Sequence, residues 1–413
     1  MNLNDCKNIL KTLKTPFYIF DKVGFINNYK LLEKEMKKVY PNYLLSYSYK
    51  TNYTPYICEI VKELKGYAEV VSDMEYLLAK KIGYSNDKII YNGPAKGEKL
   101  YEHLLNNGIV NIDSLDEAQR IIEYANKYSS HKFKVGIRIN LDLGGNFISR
   151  FGLDPNGDDI KNTIKMLNTC SNIKVVGLHC HISRSRTLEA WKKRAEIMLD
   201  IADNYFEDIP EYISLGSGMF ADMAEELRMQ FQDVPNYEEY AKVTLQPIAN
   251  HYMNAEKKPF VFTEPGTTLV ARYLNFVTKV LSIKTIRNRN IANMDGSYEN
   301  LGEICTMKKL PIKVLKSAKK TNFSKIDIMG YTCLEQDLMY EGFKGFLDKG
   351  DILMFENVGG YSIVSKPQFI KPNCPVVSLE EDGKLKEIMR EETFEDVFSK
   401  FVFSNLDKKG EDI

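Results

Sequence analysis

The chain has 413 residues, of which 44% are hydrophobic and 27% are charged, a composition typical of a globular enzyme. Lys+Arg and Asp+Glu both number 56, so the net charge is zero and gives no basic field for nucleic acid or an anionic membrane. The seven cysteines are scattered without CxxC spacing, which favours reduced thiols in the cytoplasm over a disulfide framework or a zinc site. The polar N-terminus predicts no signal peptide, and no apolar run reaches the roughly 20 residues of a membrane helix.

Strand and helix patterns alternate along the first two thirds of the chain. A short strand is predicted at Thr15–Asp21, and the helical stripes at 55–66 and 74–83 and a capping box at Ser114–Glu117 mark helices. Eight further strands are predicted at 43–47, 68–72, 88–93, 110–113, 135–140, 175–181, 212–215 and 259–263. Eight strands alternating with helices predict a parallel (β/α)8 TIM-like barrel.

After about Leu269 the pattern changes to short β-like runs, at 274–286, 312–315, 351–355 and 361–364, with a last helical turn near 396–398. These runs predict a second, mainly β domain. The strand at 16–20 is expected to join it, because residues before a barrel's first strand must lie outside the barrel. The predicted domains are therefore 1–24 (N-terminal segment of the β domain), 25–268 (barrel) and 269–413 (C-terminal β domain).

Polar or glycine residues follow nearly every predicted barrel strand. In order they are Lys50, Ser72, Gly93, Asp113, Asn140, His181, Gly216 to Gly218, and Glu264. The carboxyl ends of barrel strands form the active-site face of this architecture, because the βα loops converge there. We therefore expect these residues to share one site.

Each of these residues also has a simpler explanation when it is taken alone. Lys50 follows the aromatic run Tyr43–Tyr47 and either extends its amine to water or does chemistry. The loop Leu215–Gly218 can present backbone N–H groups to a phosphate or be a plain turn, and it matches neither a Walker nor a dinucleotide motif. Glu264 either pairs with a cation or is a solvated turn residue.

His179 and His181 stand at i and i+2 on one strand face, where they can bind a metal, stack on a planar cofactor, or sit in the core. No third ligand is evident, so no metal site is predicted. Cys333, between turn residues and two acids, is either a proton donor or a buried inert thiol. A lysine, a phosphate loop, an aromatic stacker and a carboxylate are together the parts that hold pyridoxal 5′-phosphate (PLP).

The ordered motifs identify a family resemblance over almost the whole chain, from Thr15 to about Phe369. They are Tyr49-Lys50-Thr51-Asn52, Gly177-Leu178-His179-Cys180-His181, Leu215-Gly216-Ser217-Gly218, Glu264-Pro265-Gly266, Gly330-Tyr331-Thr332-Cys333 and Gly359-Gly360-Tyr361. The chain resembles the fold-type III PLP-dependent decarboxylases, the group of diaminopimelate and ornithine decarboxylases, with alanine racemase as a distant relative.

The resemblance implies roles for individual residues. Lys50 would form the Schiff base, His181 would stack on the ring, Glu264 would pair with the ring nitrogen, and Cys333 would protonate the substrate's Cα. The phosphate would be held by the backbone of Gly216, Ser217, Gly218 and Gly266 and by the hydroxyl of Tyr361, and Ser72 is predicted to bind the cofactor too. In this family the cysteine comes from the second subunit, so a homodimer with shared active sites is implied.

Departures from the family bear on the substrate, which is expected to be a small amino-acid-like molecule. Leu334 stands where ornithine enzymes have an aspartate, and Thr267 stands where diaminopimelate enzymes have an arginine. Substrate contacts are predicted from Arg138, Arg184, Arg186, Thr267 and Glu335, with the arginines receiving an anionic group. The pattern is similar to decarboxylases of specialised biosynthetic clusters, such as the one in microcin C maturation.

Two alternatives share the cofactor. An amino-acid racemase of this fold generally has an arginine near the ring nitrogen and a tyrosine where Cys333 falls, so Glu264 and Cys333 favour decarboxylation. A non-catalytic PLP-binding regulator is expected to have lost Lys50 or Cys333, and both are present.

Overall fold

A computed structural model describes residues 13–144, 148–183, 185–316 and 318–403. The chain forms two compact units. The barrel unit comprises Gly24–Tyr273 and Gly359–Val364, and the sheet unit comprises the residues up to Val23, Leu274–Val358 and the residues from Ser365 onward. The predicted boundaries at 24/25 and 268/269 lie within five residues of these divisions, whereas the short segment 359–364 groups with the barrel unit.

Eight parallel strands close the barrel in chain order, as predicted. They are β2 (Tyr43–Ser48), β3 (Tyr67–Val70), β4 (Ile89–Tyr91), β5 (Ile109–Ile112), β6 (Phe133–Arg138), β7 (Ile173–His179), β8 (Tyr212–Ser214) and β9 (Phe260–Thr263), and β1 is described with the sheet unit below. Strand β9 pairs with β2, so that Leu45 aligns with Thr263. All eight carboxyl ends therefore lie at the same end of the barrel.

Helices alternate with the barrel strands. They are Lys22–Val39, Pro55–Glu63, Asp73–Ile82, Lys99–Leu105, Leu115–Ala125, Asp158–Asn168, Leu188–Tyr205, Glu225–Arg228, Tyr237–His251 and Thr267–Val270. Ser114 caps its helix by accepting from the Glu117 N–H, but the predicted capping box is not completed. The Glu117 side chain instead accepts from the Asp113 N–H and from Lys96, because the buried ammonium of Lys96 needs a carboxylate.

Aromatic side chains fill the barrel interior near the strand starts. Tyr67, Ile90, Val176, Tyr212 and Phe262 form one buried cluster, and the rings of Tyr67 and Phe262 meet edge to face with centroids 5.0 Å apart. Tyr67 and Tyr212 are the first residues of β3 and β8, so this cluster includes the amino ends of the strands, whereas the polar groups follow their carboxyl ends.

The sheet unit contains nine strands. They are β1 (Phe17–Asp21), β10 (Leu274–Ile286), β11 (Arg289–Met294), β12 (Ile312–Lys316), β13 (Asn322–Met329), β14 (Leu338–Phe346), β15 (Ile352–Phe355), β16 (Val376–Leu379) and β17 (Leu385–Met389). Short helices at Ile304–Met307 and Phe394–Phe398 complete it. Strand β1 lies between β10 (antiparallel) and β16 (parallel), which confirms that the N-terminal strand joins this sheet.

The predicted β-like run at 361–364 is wrong. These residues form bends and a turn. Tyr361 has φ +56°, a left-handed backbone conformation that a strand does not accept. In the described ranges no helix is both long enough and apolar enough to cross a bilayer.

Candidate active site

The strand ends bring together the amine and the carboxylate that the sequence singled out. Lys50 lies in the short turn Tyr49–Thr51 directly after β2, and Glu264 follows β9, the strand paired with β2. Asn92, directly after β4, donates to both Glu69 Oε1 (3.2 Å) and Glu264 Oε1 (3.1 Å). A continuous polar chain therefore connects Lys50 to Glu264 through Glu69 and Asn92.

Glu69 is the ion-pair partner of Lys50. The Lys50 ammonium donates to Glu69 Oε2 at 2.5 Å and to Ser48 Oγ at 2.7 Å, and the Glu69 side chain is only 1% exposed. Burial alone would lower the pKa of Lys50, but the surrounding groups, Glu69 first and then Tyr361 and Glu264, together outweigh burial and the pKa is raised. The sequence analysis missed Glu69. Its signal was a carboxylate inside the apolar strand Ala68–Val71.

Glu264 is held as a buried carboxylate by three donors. His179 Nε2 lies 3.0 Å from its Oε2, while Ser214 Oγ (2.7 Å) and Asn92 reach its Oε1. Burial would raise the pKa of Glu264, but His179 opposes it, and the pKa lies well below its usual range. A carboxylate offers about four acceptor positions, so one position on Oε2 is not filled by a described residue.

His179 and His181 have different partners, and His179 contacts the Glu264 carboxylate. Both the His179 and Glu264 side chains are 1% exposed. The His179 Nε2 faces the Glu264 carboxylate, whereas its Nδ1 is buried and has no hydrogen-bond partner among the described residues. The sequence analysis placed the two histidines on one strand face and gave His181 a predicted stacking role, but it assigned no role to His179.

His181 is a neutral, half-buried imidazole at the end of β7. The Ser217 N–H donates to its Nδ1 at 3.3 Å. Burial, and after it the positive charge of Lys50, place the pKa of His181 well below its ordinary value. A ring that accepts at Nδ1 carries its proton on Nε2.

The glycine-rich loop and Gly266 present unused backbone donors. In the described chain the N–H groups of Gly216, Gly218 and Gly266 have no acceptor, whereas the Ser217 N–H is used by His181. Gly216 has φ +60°, and a Cβ there would clash with the Cys180 carbonyl oxygen. A side chain in this loop would therefore block the close approach that an anion needs.

Three further predicted site residues also lie in the barrel unit: Tyr361, Thr267 and Ser72. The Tyr361 N–H donates to the Thr51 carbonyl at 2.9 Å, next to Lys50. Burial lowers the pKa of Lys50, and the Tyr361 phenol is, after Glu69, the next group that raises it. Thr267 packs at Gly360. The Ser72 hydroxyl caps a helix by accepting from the Glu75 N–H. This cap explains a serine at position 72 without any contact to a cofactor.

The predicted substrate arginines differ in their charge balance. Arg138 Nη1 pairs with Asp113 Oδ1 at 3.0 Å, and both side chains are 8% exposed, so this charge is already compensated. Arg186 lies with its guanidinium carbon 5.3 Å from the Phe220 ring centroid, and no described carboxylate is within ion-pair distance of it. Arg184 lies outside the described residues.

Cys333 and Glu335 belong to the sheet unit, where both are exposed. The thiol of Cys333 is free, as are those of the other described cysteines. Their predicted roles at the active site stay predictions.

The residues at the barrel end fit a phosphate-bearing aldehyde with a basic ring nitrogen. Lys50 supplies an amine, Glu264 supplies a buried carboxylate with one open acceptor position, and the loop supplies N–H groups without acceptors. These are the donor and acceptor types that PLP requires. Among the described residues no cluster of three or more His, Cys, Asp or Glu side chains could hold a metal ion.

Comparison with known proteins gives the same cofactor. A family described as "Pyridoxal-dependent decarboxylase, pyridoxal binding domain" matches residues 29–271. A diaminopimelate decarboxylase of Helicobacter pylori is 26% identical, with 95% of this chain and 96% of that protein covered.

Solved structures agree on the fold. A diaminopimelate decarboxylase from M. jannaschii superposes with a TM-score of 0.85 at 22% identity, covering 97% of this chain and 94% of that one. SrLDC in complex with PLP and cadaverine gives a TM-score of 0.76 at 19% identity, covering 93% and 95%.

The family match covers more than half of the 413 residues and includes all eight barrel strands. The matched family consists of decarboxylases, so the racemase alternative is not supported. The chain belongs to the pyridoxal-dependent decarboxylase family, and the protein is a PLP-dependent carboxy-lyase.

Proposed function

We propose that the protein decarboxylates an α-amino acid at the barrel end, with Lys50 as the residue that binds PLP covalently. The observation that carries this proposal is the buried chain from Lys50 through Glu69 and Asn92 to Glu264. Bound there, PLP would supply an electron sink for the charge left on Cα when the carboxylate departs as CO2.

Glu69 is placed to accept the proton that the Lys50 ammonium must lose. An ammonium is not a nucleophile, so Lys50 must lose a proton before it can react with an aldehyde. Glu69 Oε2, at 2.5 Å, is the nearest described acceptor for that proton. Because Glu69 also raises the pKa of Lys50, it keeps the amine protonated until the cofactor arrives.

Glu264 is proposed to hold a proton at the cofactor's ring nitrogen through its remaining Oε2 position. The His179 N–H, together with Ser214 and Asn92, keeps Glu264 ionised. An ionised acceptor stabilises a positive charge on the group that faces it. His181 would cover the ring with a neutral imidazole face, which adds no competing charge.

The phosphate is proposed to lie on the N–H groups of Gly216, Gly218 and Gly266, with the Tyr361 hydroxyl beside them. These amides have no acceptor in the described chain, and oriented backbone N–H groups form anion-binding sites. Ser217 would contribute chiefly through the loop's shape, since its own N–H donates to His181.

The substrate is proposed to carry a second carboxylate at its far end, with diaminopimelate as the first candidate. The curated relatives include diaminopimelate decarboxylases that match over most of this chain. Thr267 departs from the family arginine for that carboxylate, and Arg186 is a guanidinium of the barrel unit, close to Tyr361, that has no described carboxylate within ion-pair distance. We infer that Arg186 takes over this role, since a guanidinium binds carboxylate bidentately.

Cys333 is proposed to protonate Cα, with Glu335 near the substrate amine, in a homodimer whose sites are shared. We also infer a cytoplasmic location, supported by the free thiols of the described cysteines. Exposure of Cys333 is compatible with its reaching a site on a partner subunit.

Decarboxylase activity is tested by CO2 release from a panel containing diaminopimelate, lysine, ornithine and arginine. The wild type is expected to release CO2 from at least one of them. Lys50→Ala is expected to reduce the rate at least a thousandfold, while Lys65→Ala, a change at an exposed lysine that belongs to none of the predicted site residues, should match the wild type. A rate of CO2 release in Lys50→Ala equal to that of the wild type would refute the assignment of Lys50.

The pH dependence of cofactor attachment tests the Lys50–Glu69 pair. In Glu69→Gln the opposing charge is gone, so burial lowers the pKa of Lys50 and more neutral amine exists at a given pH. The rate of covalent PLP attachment, followed by absorbance, should therefore rise through its midpoint at a lower pH than in the wild type. Glu69→Asp keeps the charge and serves as the control; a midpoint that is unmoved or higher in Glu69→Gln contradicts the pairing.

The role of Arg186 is tested by comparing substrates with and without the distal carboxylate. Arg186→Leu should raise KM for the dicarboxylic substrate roughly ten- to a hundredfold, the effect of losing a charged hydrogen bond. KM for a monocarboxylic amino acid that the enzyme accepts should change little, and Arg186→Lys should lie between. Equal losses for both substrates would show that Arg186 does not read the distal group.

A further inference from the structure

The helix Leu188–Tyr205 directs one arginine into the interior of the barrel unit. Arg194 is fully buried, at 0% exposure. Its Nη1 donates to the carbonyls of Leu215 (2.7 Å) and Ser217 (3.0 Å), and its Nη2 donates to the carbonyl of Ile182 (3.0 Å). Its guanidinium carbon lies 4.1 Å from the Trp191 ring centroid.

This guanidinium is charged but has no carboxylate partner among the described residues. Its Nε has no acceptor there either. A buried cation satisfied only by carbonyl oxygens costs free energy that an apolar residue of similar volume would not. Packing alone therefore does not explain why an arginine occupies this position.

The hydrogen bonds from Arg194 to the loop carbonyls fix the direction in which the loop N–H groups point. In a trans peptide the C=O and the following N–H point in opposite directions. Holding the Leu215 carbonyl therefore points the Gly216 N–H away from Arg194, and holding the Ser217 carbonyl does the same for Gly218. These are the two loop N–H groups that have no acceptor in the described chain.

We propose that Arg194 is a positioning residue for the phosphate of PLP: it fixes two peptide planes with their N–H groups toward the phosphate and places a positive charge behind them. The inference rests on the proposed role of the Gly216–Gly218 loop in binding that phosphate. Both effects act on the phosphate and not on the rest of the cofactor. Arg194 touches no reacting atom.

The fixed peptide planes and the buried positive charge should both strengthen phosphate binding. Glycines at φ +60° and +111° give the loop many alternative conformations, so an unsupported loop loses entropy when it orders around an anion. A loop whose Leu215 and Ser217 carbonyls are already held by Arg194 loses less. A buried cation behind the amides also strengthens the field at the anion, because the surrounding protein screens it less than water would.

The test compares PLP with pyridoxal, which has the same ring and aldehyde but no phosphate. Dissociation constants of both are measured on the full-length, cofactor-free protein by absorbance. Arg194→Met should weaken PLP binding roughly ten- to a hundredfold and change pyridoxal binding by less than about twofold. Inorganic phosphate should compete with PLP on the wild type more effectively than on Arg194→Met.

A conservative variant and a matched control keep the test decisive. Arg194→Lys retains the charge but cannot span three carbonyls, so its ratio of PLP to pyridoxal affinity should fall between those of the wild type and Arg194→Met. If Arg194→Met does not fold, the Arg194→Lys ratio decides. Met198→Leu, a buried change of similar volume one turn along the same helix, should leave the ratio unchanged.

The outcomes separate this inference from the proposed function. Equal weakening of PLP and pyridoxal, or no change in either, would overturn the positioning role of Arg194. A wild-type protein that binds neither ligand would instead overturn the proposed PLP site itself.

Discussion

The ion pair between Lys50 and Glu69 is the interaction on which the rest of the site depends. It places an ammonium at the carboxyl end of β2 among buried groups, where an unpaired charge would be costly. Asn92 connects that pair to Glu264, so one amine and two carboxylates share one hydrogen-bonded chain. This chain carries an excess of one negative charge when all three groups are ionised. A cofactor with a protonated ring nitrogen would supply the missing positive charge, which is a physical reason for the site to select PLP.

Much of this arrangement could be predicted from the sequence because a barrel places every strand's carboxyl end at one face. Lys50, His181, Glu264 and the Gly216–Gly218 loop were each found by their position after a strand. The pairing partners were not found, because a single strand does not show which group of a neighbouring strand its side chains bind; Glu69 left only the signal of a carboxylate in an apolar strand. Glu69, Asn92 and Ser214 belong to this group.

Local signals also failed where tertiary contacts overrode them. The Ser114 capping box was half right, since Glu117 is drawn to Lys96 and to the Asp113 N–H. The predicted strand at 361–364 is a turn that hydrogen-bonds to Thr51. In both cases the local sequence satisfied a standard pattern, but a buried partner distant in sequence determined the geometry.

Three of the described arginines in the barrel unit, Arg138, Arg186 and Arg194, differ in what neutralises them. Arg138 is balanced by Asp113, Arg194 by loop carbonyls, and Arg186 by no described carboxylate. The sequence could list Arg138 and Arg186 as equals, and it gave no reason to single out Arg194. Their partners divide them into a structural pair, a support for the loop, and a candidate for the substrate.

The most direct test of the central claim is to trap the cofactor linkage and locate it. The protein is incubated with PLP, reduced with borohydride and digested, and the modified peptide is identified by mass spectrometry. The account predicts a single phosphopyridoxyl group on the peptide that contains Lys50, with none on that peptide when pyridoxal phosphate is omitted. Modification of another lysine in place of Lys50, or no stable modification at all, would contradict it.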